Sequence, residues 1–169
     1  MSNLAAEVLE IVDVTLRYAQ AIDERDWSQL ATLFTDPFEL DMRAVSGRPP
    51  TQMGSAEWAQ RVSLLGRLDA TQHMITNHRV SIEEPGRRAR CRAEVRAQHW
   101  LDPDHLQALE LPSGTVNWHE LGGHYDFALQ QDASPRSGAW RISAYALVVR
   151  WRTGNDQVFA LAQRLAGGR

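Results

Sequence analysis

Asp23 and His73, fifty positions apart, are the residues best placed to do chemistry in this chain. Asp23 closes the run Tyr18-Ala-Gln-Ala-Ile-Asp23, just before Glu24-Arg25-Asp26-Trp27. His73 sits in Ala70-Thr71-Gln72-His73-Met74-Ile75-Thr76-Asn77-His78. A carboxylate that holds an imidazole makes a proton-abstracting base that works near neutral pH without a metal or cofactor. The remaining composition narrows the chemistry further. The chain has no lysine, so Schiff bases, lysine general bases and a phosphate-loop lysine are excluded. Cys91 is the only cysteine, so neither an internal disulfide nor a zinc–cysteine cluster can form.

The elements that must carry this pair follow from periodicity. Leu4, Val8, Ile11, Val12, Leu16, Ala19 and Ile22 recur at helical spacing, which predicts a helix over 4–22 with one buried stripe. Asp26 followed by Gln29 reads as a capping box for a short second helix through Leu30 and Leu33. Phe38, Leu40 and Met42 alternate with Glu39 and Asp41 as a strand, 47–50 is a loop, and 55–65 reads as a third helix. His73 to Ile82 is expected as a strand. From Arg87 to Leu101 the period is two: Ala89, Cys91, Ala93, Val95, Ala97, His99 and Leu101 share one face. Trp118 to Gln130 and Ala139 to Trp151 read as two more long strands, joined by 132–138, and 155–165 as a terminal helix. Helices first and long antiparallel strands after is an α+β plan, with helices on one face of a curved sheet. The small residues Ala89, Cys91, Ala93 and Ala97 leave either a pocket or close helix–sheet packing.

At 169 residues the chain is expected to form one domain over 1–152 with a helical extension over 153–169. A net charge of −3 gives no reason to expect nucleic acid or an anionic membrane as partner. No apolar run approaches the roughly 20 residues that cross a bilayer, and the first residues lack a signal-peptide pattern, so a cytoplasmic protein is expected. His73/His78 and His119/His124 are each five apart, an odd spacing that puts the rings on opposite strand faces, so no metal site is expected. Cys91 reads as a packed thiol rather than a nucleophile, and the arginines at 87, 88, 90, 92 and 96 as a solvated or subunit-contact face. His124 and Tyr125 face opposite ways, with Tyr125 the expected pocket member. Trp100 and Trp151 are expected on the outer face of the sheet.

The order of these elements resembles the SnoaL-like branch of the NTF2-like superfamily, a cone of helices over a strongly bent, mostly antiparallel sheet that encloses a pocket. The resemblance covers roughly Leu4 to Trp151. It rests on Tyr18 to Asp23 with Asp26-Trp27, on Thr71-Gln-His73 with Thr76-Asn77, on Gly122-Gly123-His124-Tyr125 and on Gly138-Ala139-Trp140-Arg141-Ile142. Scytalone dehydratase, bile acid dehydratases and hexachlorocyclohexane dehydrochlorinase keep an Asp late in the first helix and a His on the strand after the third. Asp23 and His73 fall on those positions. Tyr18 matches a pocket tyrosine of the bile acid dehydratases, and His99 a second strand histidine of scytalone dehydratase. Where the dehydrochlorinase carries a helix Lys and a strand Arg, this chain has Tyr18 and Tyr145. That departure points from halide-leaving chemistry towards hydroxyl or carbonyl substrates.

The resemblance implies a cofactor-independent dehydratase or isomerase acting on a small, mostly apolar, cyclic substrate. His73 would be the base and Asp23 its orienting carboxylate. Tyr18, Tyr125 and Tyr145 would bind substrate, and His99 would bind it or protonate the leaving group. It also implies a homodimer or homotrimer assembled through the sheet. A non-catalytic binding protein or dioxygenase small subunit of the same fold, and a polyketide cyclase, are the alternatives. Tyr18 lies about 140° round the helix from Asp23, so packing under the sheet is its plain alternative.

Overall fold

A computed structural model describes residues 4–131 and 138–167. It opens with α1 (Leu4–Asp23), whose buried face is Ile11, Val14, Tyr18, Ala21 and Ile22. The stripe is rotated from the expected one: Leu4 and Leu16 are exposed, while Thr15 and Glu7 are buried. Both polar residues are partnered. The Glu7 carboxylate accepts the Gly86 N–H at 3.0 Å, and the Thr15 hydroxyl donates to the Val12 carbonyl at 2.8 Å. A hydrogen-bond partner, within the helix for Thr15 and from a distant turn for Glu7, thus lets a polar side chain occupy a buried position.

The end of α1 determines where Asp23 stands. Asp26 N–H reaches back to the Ala21 carbonyl at 2.8 Å, and Arg25 adopts a left-handed φ of 61°. This is a Schellman-type stop in which a side chain occupies the position that glycine usually fills. The Arg25 guanidinium makes use of that turn by donating to the Leu68 carbonyl at 2.7 Å, which ties the helix end to the start of the sheet. Asp26 then caps α2 (Trp27–Thr32), its carboxylate accepting the Gln29 N–H at 2.8 Å.

The next stretch departs most from expectation. β1 (Phe34–Asp41) begins earlier than its alternation suggests and stops before Met42. A single helical turn, α3 (Arg43–Ser46), and a short strand, β2 (Thr51–Met53), flank the 47–50 loop. Four and three residues are too few to establish a period. α4 (Ser55–Val62) ends before Leu65 and tightens into a 3-10 turn over Ser63–Arg67. Trp58 and Val62 face inward.

Four long strands follow: β3 (Ala70–Glu84), β4 (Arg88–Trp100), β5 (Trp118–Gln131) and β6 (Trp140–Gly154). The one-turn α5 (Pro103–Gln107) follows β4, with Asp102 as its cap. The sheet runs β2-β1-β6-β5-β4-β3, antiparallel throughout except for the parallel β1–β6 pair. It is curved and does not close. A register shift at Gly122/Gly123 marks a bulge against β6. A Cβ on Gly123 would collide with the Val148 carbonyl, and one on Gly122 with the Trp151 ring, so both positions exclude side chains. The expected connection over 132–138 lies, for 132–137, outside the described residues.

The alternating face of β4 behaves as predicted: every residue from Ala89 to His99 on that face is buried. The opposite face is a ladder of exposed ion pairs, among them Arg92–Asp126 at 2.7 Å and Arg150–Glu94 at 2.6 Å. Trp100 and Trp151 are exposed. α6 (Val158–Gly167) packs Val158, Leu161 and Ala162 on Leu68, Leu101 and Leu106, a second small apolar cluster at one end of the sheet. Among the described residues no helix is long and apolar enough to cross a membrane.

Candidate active site

α1 and β3 bring Asp23 and His73 together. Asp23 Oδ1 lies 2.7 Å from His73 Nδ1 and accepts the Thr71 hydroxyl at 2.8 Å. Its Oδ2 accepts the His73 backbone N–H at 2.7 Å. A carboxylate at a helix C-terminus meets the unfavourable end of the helix dipole. Three donors from β3 offset that. Burial pushes the Asp23 carboxyl up, but the His73 ring, the His73 N–H and Thr71 outweigh it and hold the group below the usual carboxylate range. Because an ionised carboxylate only accepts, His73 Nδ1 carries a proton, and in the neutral ring Nε2 presents a lone pair.

His73 forms part of the wall of a cavity of about 490 Å³ between the helices and the sheet, and its side chain is 5% exposed. Asp23 stands behind it, outside the wall, with its side chain 24% exposed. The 140° between Tyr18 and Asp23 is thereby accommodated: Tyr18 enters the cavity directly, whereas Asp23 reaches it only through His73. A wider depression of about 850 Å³ lies between Thr35, Glu84 and Arg87, away from all of these residues. Its Arg87 and Arg88 are paired to Glu84.

The tyrosines come together. The Tyr18 hydroxyl donates to Tyr145 at 2.9 Å, and Tyr145 also hydrogen-bonds Tyr125. All three line the cavity, with ring centroids 5.2 to 5.6 Å apart. Burial pushes each hydroxyl's pKa up, so all stay neutral. Three hydroxyls hold three protons and two contacts use two of them, which leaves one for a ligand oxygen. Ile22, Met42, Trp58, Val62 and Leu147 also line the cavity. The small residues divide. Ala97 borders the cavity, while Ala89 and Ala93 lie in the packed core beneath α1.

His99 also lines the cavity, its ring 5.7 Å from that of His73. Its environment revises one expectation. Burial, with the neighbouring His73 and His119 rings, pushes its pKa down to about 3. A neutral imidazole donates or accepts a hydrogen bond, but it is not a cationic acid for a leaving group near pH 7. His124 faces the ion-paired side, 3.4 Å from Asp126, and Tyr125 faces the cavity, as the strand period requires. Cys91 is buried, and burial raises its thiol pKa to about 11, so it is an inert packed group. His78 does not face away from His73 as the odd spacing predicts: the register shift between Thr76 and Arg79 switches the inward parity of β3, and the His78 ring meets Thr15 of α1 at 2.9 Å, on the same side of the strand as His73. Among the described residues no cluster of three or more His, Cys, Asp or Glu could hold a metal ion.

Sequence reasoning missed His119, Trp58 and the C-terminal contribution of Asp156 and Phe159, all in the cavity wall. His119 was legible in part: it shares the inward parity of Tyr125 on β5, whereas its spacing from His124 drew attention only as a metal pair. Asp156 and Phe159 were not legible, because nothing local says that 155–159 folds back over the strand ends.

The comparisons agree with this architecture. Residues 4–146 match the SnoaL-like domain family, and the chain belongs to that family. No curated protein matches the sequence. Among solved structures, the Kfla4162 protein from Kribbella flavida is similar with a TM-score of 0.79 at 26% identity, over 95% of this chain and 99% of that one. A protein assigned as a scytalone dehydratase from Novosphingobium aromaticivorans is similar with a TM-score of 0.70 at 17% identity, over 89% of each chain. Hexachlorocyclohexane dehydrochlorinase LinA-type3 from Novosphingobium barchaimii is similar with a TM-score of 0.67 at 16% identity, over 90% and 92%. At these identities the last two establish the fold alone.

Proposed function

We propose that the cavity is the active site of a cofactor-independent lyase or isomerase that removes a proton beside a carbonyl or similar activating group of a small, mostly apolar, cyclic substrate. The observation that carries this reading is the 2.7 Å contact between Asp23 and a His73 ring that opens onto a 490 Å³ cavity. His73 Nε2 takes the carbon-bound proton, and the Asp23 carboxylate stabilises the imidazolium that forms. The electron pair moves towards the activating oxygen, where a tyrosine hydroxyl donates a hydrogen bond to the developing charge. The imidazolium then returns its proton. Delivery to a departing hydroxyl gives water and a double bond, and delivery to another carbon gives an isomer. Neutral tyrosines at 18 and 145, where the resemblance to the dehydrochlorinase would call for two cations, favour an oxygen over a halide at the reacting centre. A binding protein of the same fold would need neither a basic nitrogen at the wall nor a carboxylate behind it.

The test uses 2-tetralone, an apolar bicyclic ketone, in D2O. Its exchange of the protons next to the carbonyl, followed by NMR, reads proton abstraction without knowledge of the natural substrate. The wild-type protein should accelerate exchange, and His73→Ala should remove that acceleration, on the order of 10²–10⁴ for general-base assistance. Urea unfolding of the variant should stay within about 1 kcal/mol of the wild type. Undiminished exchange by a folded His73→Ala protein would refute the assignment.

A further inference from the structure

The wall of the cavity is buried or half-buried except at Val45, Arg152 and Asp156, which are exposed and so mark its mouth. Val45 belongs to α3, while Arg152 and Asp156 come from the end of β6 and the approach to α6. The strand register sets the level of this mouth. Arg152 pairs with Leu121, Leu121 with Ala97 and Ala97 with His73, so one rung of the sheet runs from the base to Arg152. Residues of one rung share a face, which places Arg152 on the inner side with Leu121 and Ala97. Its guanidinium donates to the Ala44 carbonyl of α3, and that bond joins the two sides of the mouth.

Little else holds α3 in place. None of its residues is buried. The Val45 and Ser46 N–H groups reach only the Met42 carbonyl, at 3.0 and 2.8 Å, and the Arg43 guanidinium pairs with neighbouring Asp41 at 2.6 Å. Among the described residues, Arg152 alone ties α3 by a hydrogen bond to a distant element. A single helical turn does not persist by its own propagation, and a hydrogen bond within reach of water opens readily. The guanidinium also has a second acceptor at hand. Asp156 follows Arg152 by four residues, and the two charges act on the His119 ring in opposite senses. The Asp156 carboxylate lies 3.4 Å from His119 Nε2, and its side chain is 75% exposed. An arginine that releases Ala44 can therefore pair with Asp156 on its own side of the mouth, and a charge-assisted bond in either position keeps the two states close in free energy.

We infer that α3 is a flap over the mouth of the cavity, that Arg152 is the strap that holds it shut, and that Asp156 takes the guanidinium when the flap opens. The inference rests on the reading of this cavity as the active site and gives that site its gate. Opening sets how often a ligand passes, not how tightly it is held. Arg152 and Asp156 lie beyond residue 146, where the family match ends, so the strap comes from outside the matched segment.

Two indole N–H groups read the gate without a substrate. Trp58 Nε1 is buried in the cavity wall and Trp140 Nε1 is buried in the core outside that wall, and neither has a hydrogen-bond partner among the described residues. Solvent that enters by the mouth reaches Trp58 and not Trp140, whereas global unfolding exposes both. Their exchange in D2O is followed by ¹H–¹⁵N NMR on the full chain. Arg152→Ala should speed exchange at Trp58 about ten-fold, the worth of one hydrogen bond, and leave Trp140 unchanged. Asp156→Ala removes the partner of the open state and should slow exchange at Trp58 several-fold. Unchanged exchange at Trp58 in Arg152→Ala overturns the proposal. So does an equal rise at Trp58 and Trp140, or faster exchange at Trp58 in Asp156→Ala. Because no substrate is present, failure here leaves the base assignment standing, and loss of the base leaves the gate standing.

Discussion

The Asp23 carboxylate does two jobs, and one substitution separates them. Asp23→Asn keeps the shape but offers an amide N–H where His73 Nδ1 now finds an acceptor, which turns the ring towards the wrong tautomer. Proton exchange on 2-tetralone should fall by on the order of 10²–10⁴, with little change in the affinity for the ketone. Stability should respond separately. The folded-state pKa of Asp23 is depressed, so its contribution is fully present above the unfolded value of about 3.9 and is lost as pH falls through the lower folded value. The stability gap between wild type and Asp23→Asn, measured by urea unfolding, should therefore be open at pH 7 and narrow below about pH 4. A gap that does not change with pH would mean that the carboxylate is not ionised in its native contacts.

At the scale of elements, the site depends on how α1 joins β3. Arg25 and Asp23 leave the same helix end and grip the Leu68 carbonyl and the Thr71–His73 segment. Thr71→Val removes one of these bonds without touching the base. It should cost about 0.5–1.5 kcal/mol, seen as a lower urea midpoint, and reduce exchange activity far less than Asp23→Asn. Elements with long periodic patterns were readable: α1, the inward face of β4 and the long strands β5 and β6 follow from spacing alone. α3, β2 and the early start of β1 were not, because a turn or a three-residue strand is held by its neighbours rather than by its own sequence. The rotation of the α1 stripe has the same origin, since Thr15 and Glu7 become acceptable core residues only once Val12 and Gly86 supply their partners.

For the molecule as a whole, the row of imidazoles makes stability depend on acidity. His99 is pushed down to about 3, first by burial and then by its histidine neighbours, and burial also lowers His119 and His78. These folded-state values lie below the unfolded value of about 6.5, so as pH falls from there the unfolded chain takes up protons that the folded chain refuses. Stability should fall with a slope of up to about 1.4 kcal/mol per pH unit for His99 alone, until about pH 3. Thermal melts of His99→Leu across pH 7 to 4 should show a shallower decline than the wild type. A parallel decline in the two proteins would place the acid sensitivity elsewhere.

From residue types and spacing came the helix-then-strand plan, the inward face of β4, and a carboxylate and an imidazole suited to one another. These are local properties, carried by periodicity and by the chemistry of single side chains. Tertiary structure alone decided that the Asp23 carboxylate meets the ring from behind while Tyr18 enters from the front, that three tyrosines share their hydroxyl protons, and that His119 and Asp156 face the same hollow. Each of those contacts joins segments far apart in the chain, and the distances depend on how strongly the sheet bends and where α6 returns, which no window of sequence encodes.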